Sequence, residues 1–177
     1  MLKQIIKLGG ILCVITLITV FLLGFVNDIT KDIILQNREM AEIQAKAELV
    51  PADTFDEIAD GIFEGKKGGE TAGYCVKSSS KGYGGDIVML VGFDKDLKLL
   101  GIKILQSSET AGLGSKAASP EFSDKLAGKI APLAVNRNGT GGEREVDAIS
   151  GATITTNAVA EAINTAHEKL SKEVQVK

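Results

Sequence analysis

Hydroxyl-bearing residues are concentrated in a short segment near the C-terminus. Ser150, Thr153, Thr155 and Thr156 lie within seven residues, around Gly151 and just before a long run with helical spacing. A helix N-terminus has unpaired backbone N–H groups and the positive end of the helix dipole, so small residues there let a phosphate approach closely. Serine and threonine are also preferred as simple helix caps. Composition alone therefore leaves two readings open, a phosphate site or a capped helix start.

Two glycine-rich loops could contribute to the same site. The first is Lys81-Gly82-Tyr83-Gly84-Gly85, and the second, residues 109–114, reads E-T-A-G-L-G. Glycine is common in loops because it adopts turn conformations at little cost, so most such loops are only turns. Neither loop identifies a ligand by itself.

The order of residues in the C-terminal segment is more specific than its composition. Residues 150–155 read S-G-A-T-I-T and match the S-G-A-T-x-T signature of the covalent FMN-binding domain family, with Asp147 three residues before it. The two glycine-rich loops, an apolar N-terminal run and an amphipathic connector agree with this match. Over nearly its whole length the chain resembles the G subunits of Rnf electron-transport complexes.

The resemblance implies a cofactor and its attachment point. In this family the last threonine of the signature is esterified to the phosphate of FMN, and that position is Thr155 here. A flavin transferase that uses FAD and Mg²⁺ is implied as the enzyme that forms the bond. The resemblance assigns no catalytic residue and no metal ligand, and it gives the other cofactor contacts to Ser150, Gly151, Ala152, Thr153, Tyr83, Gly84, Gly85, Glu109, Thr110, Gly112, Leu113 and Gly114.

The second loop departs from the family pattern. The family motif commonly reads E-T-P-G-L-G, often with histidine two residues before the glutamate, whereas this chain has Ala111 and Ser107 at those positions. We expect the first change to loosen the loop and spare binding. The second means that no imidazole is expected near the flavin, and we expect His167, the only histidine, to be a solvated residue of the last helix.

The chemistry of the linkage points to an outside enzyme. A threonine hydroxyl is a poor nucleophile, and no base stands next to Thr155 in the sequence, so self-attachment is not expected. A phosphoester would hold the flavin at an effective concentration of about mM or higher. The flavin would supply the redox chemistry and the protein its position and electrostatics. The neighbouring Thr156 could simply cap the helix.

An uncharged apolar run of 19 residues, 8–26, follows Lys3 and Lys7. At about 1.5 Å per residue it spans roughly the 30 Å hydrocarbon core of a bilayer. It is longer than a signal-peptide core and has no Ala-x-Ala cleavage pattern, so we interpret it as a retained anchor. The two lysines predict a cytoplasmic tail, residues 1–7, and place the remainder outside the cytoplasm.

Residues 27–50 are predicted to form an amphipathic connector helix that ends before Pro51. Its apolar stripe suits either a partner helix or the surface of its own domain. The stripe consists of Ile29, Ile33, Met40, Ile43, Ala47 and Val50, with Gln36 at the one polar position.

Residues 51–177 are predicted to form one extracytoplasmic domain of the α+β class, a small antiparallel sheet with packed helices. Strands are expected at 71–77, 86–93 and 97–105 after a turn at 65–69, and the central strand reads as buried on both faces. A short helix is expected from Ser119 to Ala127, strand-like patches at 133–135 and 145–149, and a last helix with Val159, Ile163 and Leu170 on one face.

The charge and the cysteine content argue against several classes of partner and cofactor. Beyond residue 26 the chain has 18 basic and 23 acidic residues, a net charge of −5, which argues against a nucleic-acid partner. Its two cysteines, Cys13 and Cys75, are too few to ligate an iron–sulfur cluster and lack the pattern for c-type haem.

The resemblance therefore implies a membrane-bound electron carrier in an ion-translocating ferredoxin:NAD oxidoreductase, with no substrate site of its own. Its expected partners are iron–sulfur and flavin-bearing subunits of that complex. One alternative is the C subunit of the sodium-pumping NADH:quinone oxidoreductase, which shares the signature but is typically longer. Others are a stand-alone tethered flavoprotein sensor or binding module, and a scaffold whose Ser/Thr loop only caps a helix.

Overall fold

The computed structural model describes residues 2–139 and 141–176, which divide into two units, one up to Met40 and one from Ala41 onward. The elements are α1 (Leu2–Leu49), β1 (Thr54–Ala59), β2 (Ile62–Lys67), β3 (Glu70–Lys81), β4 (Asp86–Asp94), β5 (Leu99–Gln106), α2 (Pro120–Asp124), β6 (Ala134–Asn136), β7 (Glu145–Asp147) and α3 (Thr153–Val176). A 3₁₀ turn, Gly114–Ala118, precedes α2.

The apolar run and the connector belong to one continuous helix, α1, which ends two residues before Pro51. Among the described residues, α1 is the one helix that is long and apolar enough to cross a membrane. Its interior carries no proline that would interrupt the helical hydrogen bonds.

The face of α1 that packs on the sheet agrees only in part with the predicted stripe. Ile43 and Ala47 of the stripe are exposed, whereas Ala45 and Leu49, four residues apart, are buried against the sheet. Lys46 lies on the same face, with its Nζ 3.2 Å from the centroid of the Phe63 ring. Val50, the last residue of the predicted stripe, is buried with Ala45 and Leu49. The stripe therefore meets the sheet only at its end, because the packing face includes a charged residue that a count of apolar positions leaves out.

Five strands form an antiparallel sheet in the order β1-β2-β3-β4-β5. The three predicted strands are present as β3, β4 and β5, but β1 and β2 were not predicted. Acidic residues such as Asp56 and Glu57 weaken the strand signal of β1, which lies at the sheet edge where exposed charges are tolerated. The predicted turn at 65–69 is narrower than expected, because residues 65–67 belong to β2.

The sheet is covered on both faces. The larger core joins Met89, Val91 and Phe93 of β4 to Val159 and Ile163 of α3. On the other face, Leu90 of β4 and Cys75 of β3 pack with Ala45, Leu49 and Val50. This explains the near-continuous apolar sequence of β4 and confirms the α+β class.

The shorter elements connect the sheet to α3. Ser119 caps α2, since its Oγ accepts a hydrogen bond from the Phe122 amide at 3.3 Å, and Pro120 is the first helical residue, as predicted. The strands β6 and β7 pair in parallel, with Val135 opposite Val146. β7 then leads directly into the turn before α3.

Candidate cofactor site

A cleft of about 650 Å³ lies at the start of α3. This volume is in the range of small-molecule and cofactor pockets. Ten residues from three sequence segments line it: Tyr83, Glu109, Thr110, Leu113, Gly114, Gly151, Ala152, Thr153, Ile154 and Thr155. The fold therefore brings both glycine-rich loops and the signature to one place.

Thr155 lies in the first turn of α3 and is 1% exposed. Its Oγ1 donates a hydrogen bond to Oε2 of Glu109 at 2.5 Å, across 46 residues of sequence. No base is next to Thr155 in the sequence, but the fold places the Glu109 carboxylate beside its hydroxyl. Sequence adjacency missed this carboxylate because the loop of residues 109–114 reaches α3 only in the folded chain.

The second oxygen of Glu109 ties the two loops together. Oε1 of Glu109 accepts a hydrogen bond from the Gly84 amide at 2.9 Å. Burial opposes ionisation of this half-buried carboxyl, but hydrogen bonds from the Thr155 hydroxyl and from the Gly84 and Tyr83 amides outweigh it, so the pKa of Glu109 is lowered. Glu109 is therefore a carboxylate at neutral pH.

Glycine is required at two points where the loop and the helix start approach one another. A β-carbon at Gly114 would lie 2.7 Å from Thr155 Oγ1, closer than two such atoms approach, and would also collide with the Glu109 carboxylate. Gly151 has a φ of +76°, a backbone conformation that side chains disfavour. The space beside the Thr155 hydroxyl is therefore open because Gly114 has no side chain.

Thr156 has a different environment from its neighbour. Its Oγ1 accepts from the Ile149 amide at 3.0 Å and donates to the Ala152 carbonyl at 3.0 Å, and the residue is fully buried. It holds the turn of residues 149–152 against the first turn of α3. These hydrogen bonds agree with the helix-capping role that the sequence suggested for Thr156.

Three large apolar side chains at the cleft are exposed: Tyr83 at 72%, Ile154 at 56% and Leu113 at 44%. Among residues 51–139 and 141–174, no other large apolar side chain is comparably exposed. A cluster of exposed apolar side chains is typical of a binding surface. Ile154 was missed from the sequence because it fills the variable position of the signature; an apolar residue there, between polar neighbours, is the available signal.

Four of the predicted contact residues do not line the cleft. Ser150 faces a neighbouring depression with Asp147 and Ile149. Gly84 contributes its amide to Glu109, and the Gly85 carbonyl accepts from the Gly82 amide at 2.8 Å. The Gly112 amide donates to Ser115 Oγ at 2.9 Å. These glycines shape the loops rather than the cleft wall.

His167 is not simply solvated. Its ring is half-buried, 6.1 Å from the Phe93 ring centroid, and burial together with the Arg144 charge lowers its pKa. It borders a second depression of about 630 Å³ along α3, whose lining includes Glu161 and Asn164 but none of the motif residues.

Comparisons with known proteins agree with this geometry. Residues 82–168 match the FMN-binding domain model, and residues 1–49 match the model of the RnfG N-terminal region. The G subunit of the Na⁺-translocating ferredoxin:NAD⁺ oxidoreductase complex of Acetobacterium woodii is 35% identical over 96% of this chain and 95% of its own length. The G subunit of the proton-translocating complex of Clostridium ljungdahlii is 32% identical over 68% of this chain and 66% of its own.

Solved structures support the fold. The C subunit of the Na⁺-translocating NADH-quinone reductase of Parabacteroides distasonis aligns with a TM-score of 0.56 at 26% identity, covering 63% of this chain and 61% of that one. The NqrC structure of Shewanella oneidensis aligns with a TM-score of 0.52 at 24% identity, over 58% of this chain and 52% of that one, and shows the fold alone.

Proposed function

The chain belongs to the G-subunit family of Rnf-type ion-translocating oxidoreductase complexes, and on that premise we propose that it carries electrons through FMN joined to Thr155 by a phosphoester. The observation that carries this proposal is the position of the Thr155 hydroxyl. It lies at the N-terminus of α3 on the wall of a cleft that has an exposed apolar rim.

The residues present fit a flavin mononucleotide. Backbone N–H groups of the first turn of α3 suit a phosphate, because they have no acceptor within the helix and lie at the positive end of its dipole. Tyr83, Leu113 and Ile154 offer apolar surface for an aromatic ring system and would exclude water from it. FMN bound there supplies the redox chemistry, while these residues bind and orient it.

A membrane anchor follows from the family and from the apolar part of α1. We infer that residues 8–26 span the membrane, that residues 1–7 with Lys3 and Lys7 lie in the cytoplasm and that residues 51–177 lie outside. A phosphoester suits that location, because a dissociable flavin would be lost there by dilution. The connector, residues 27–50, would lie between the span and the domain.

Relatives of the chain belong to larger multi-subunit complexes, so we propose that the flavin exchanges electrons with iron–sulfur and flavin-bearing subunits. The stripe residues Ile29, Ile33, Met40 and Ile43 are exposed in this chain, which favours the partner-helix reading of the stripe. A separate flavin transferase would make the phosphoester.

The C subunit of the sodium-pumping NADH:quinone oxidoreductase is the nearest alternative. Solved C subunits share the fold, but the chain aligns with 61% of one such structure and with 95% of a G subunit. The G-subunit function is therefore preferred.

The test of this function is covalent flavin on the denatured chain. The full-length protein is expressed with a flavin transferase, denatured and separated on a gel. We expect flavin fluorescence on the wild-type band, none on Thr155→Val, and normal fluorescence on Thr165→Val, which makes the same change at an exposed position farther along α3. Fluorescence that washes off the wild type, or that persists in Thr155→Val, would contradict the proposal.

A further inference from the structure

The contact between Glu109 and Thr155 has the composition of a nucleophile and its base. Thr155 Oγ1 points its proton at one carboxylate oxygen of Glu109, while the other oxygen receives the Gly84 amide. A nucleophilic hydroxyl within hydrogen-bond reach of a base is the usual arrangement for attack by an alcohol. The resemblance assigned Glu109 only as a contact of the bound flavin.

We propose that Glu109 is the general base for flavin attachment to Thr155, an inference that rests on the function proposed above. Thr155 Oγ1 forms a bond to the phosphorus of the FMN half of a flavin dinucleotide supplied by the transferase. The bond from that phosphorus to the AMP oxygen breaks, and AMP leaves with the electron pair. The hydroxyl proton passes to Glu109 and then to solvent, and nothing is oxidised or reduced.

The charge state of Glu109 fits this role. Because its pKa lies below the ordinary carboxyl value of 4.5, the group is ionised and ready to accept a proton at neutral pH. So weak a base does not hold threonine ionised in the resting protein, and it takes the proton only as the new bond forms. The outside enzyme therefore remains necessary to bind and activate the dinucleotide.

The surroundings hold the pair in place. Thr156 fixes the helix start by bonds to Ile149 and Ala152, so the backbone that carries Thr155 is tied on its buried side. Gly114 leaves the space beside the hydroxyl free of side-chain atoms. Support of this kind is what a reacting pair needs to keep its geometry.

A purely structural role for Glu109 is the competing account. In that account the carboxylate is a latch that joins the loop of residues 81–85 to α3, and breaking it should leave attachment unchanged or speed it by exposing Thr155. Glu109→Gln separates the two accounts. Its amide oxygen can still accept from Gly84, while its NH₂ group faces Thr155 and cannot take a proton.

The experiment measures attachment as the mass gain of the intact full-length chain over time. Transferase and flavin dinucleotide are in saturating excess, so that docking affinity does not enter the rate. We expect Glu109→Gln to slow attachment roughly 100-fold and Glu109→Asp, which keeps a carboxylate, to be at least about threefold faster than Glu109→Gln. Glu161→Gln on α3, whose carboxylate accepts a hydrogen bond from the half-buried Ser80 hydroxyl at 2.8 Å, is the matched control and should react as wild type.

The outcomes are distinguishable. An attachment rate of Glu109→Gln within about tenfold of wild type, or faster, would contradict the role of Glu109 as general base and support its purely structural role. Equal slowing of the Gln and Asp variants would also contradict the general-base role, since a carboxylate would then not matter. Thermal unfolding of each variant checks its fold, and Glu109→Asp carries the test if Glu109→Gln unfolds. A wild-type chain that gains no mass would refute the proposed function instead.

Discussion

Cys75 and Thr155 are both buried side chains with a nucleophilic atom, yet their surroundings give them opposite chemical prospects. Cys75 lies on β3 beneath the end of α1, fully buried, with its Sγ 3.9 Å from the Lys46 carbonyl oxygen. Burial raises the pKa of this thiol to about 12, and the Lys46 charge offsets only part of that effect. Thr155 has the weaker nucleophile by residue type but lines a cleft and bonds a carboxylate.

The difference shows that environment outweighs residue type. A thiolate is the reactive form of cysteine, and a thiol with so high a pKa remains protonated and inert at neutral pH. A threonine hydroxyl becomes reactive only when a proton acceptor and a phosphoryl donor lie next to it. The α1 side of the sheet is therefore scaffold, and the start of α3 is where chemistry is expected.

Of the two effects that compare these sides of the molecule, the larger one comes from filling the space beside the Thr155 hydroxyl. Gly114→Ala would place a β-carbon 2.7 Å from Thr155 Oγ1 and against the Glu109 carboxylate, so the pair must separate. We expect attachment to slow by more than about tenfold, measured as mass gain of the intact chain. Gly142→Ala is the control, because a β-carbon there meets no atom within 4 Å. Equal rates for the two variants would show that the geometry around Thr155 is not critical.

A smaller effect is expected for the pH dependence of stability that arises from Cys75, on the α1 side of the sheet. Because the folded-state pKa of Cys75 is above the ordinary 9.0, the unfolded chain loses this proton first as pH rises. Stability from the protonated thiol is complete below about pH 9 and falls as pH rises toward 12. We expect the wild type to lose on the order of 1–2 kcal/mol more than Cys75→Ala between about pH 8.5 and 10.

This pH dependence is measured by thermal unfolding of the full-length chain in detergent. Taking the difference between wild type and Cys75→Ala cancels the titration of lysines and tyrosines. Parallel stability curves for the two proteins would mean that Cys75 is not protected by the fold. Normal flavin attachment in Cys75→Ala would confirm that this side of the sheet takes no part in the chemistry.

Some features of the fold and of the site could be predicted from the sequence, and others could not. The signature located Thr155 at the start of α3 because a short contiguous motif and a helix boundary coincide there. The near-continuous apolar run of β4 predicted a central strand. Both features are local, and local patterns are what a single sequence displays.

The missed features depend on contacts between distant segments. Glu109 reaches Thr155 across 46 residues, and no property of either residue alone shows the pairing. The packing face of α1 includes Lys46, whose Nζ lies over the Phe63 ring and also pairs with the Glu42 carboxylate at 3.0 Å. A lysine that packs over an aromatic ring in this way is counted as solvent-facing in a sequence pattern.

The central claim is that the flavin is attached to Thr155 and not to the adjacent Thr156. The most direct measurement is fragmentation mass spectrometry of the flavin-bearing peptide from protein labelled by the transferase. We predict that the FMN mass lies on fragments that contain Thr155 and is absent from fragments that begin at Thr156. Flavin mass on Thr156, or on no residue of this peptide, would contradict the account.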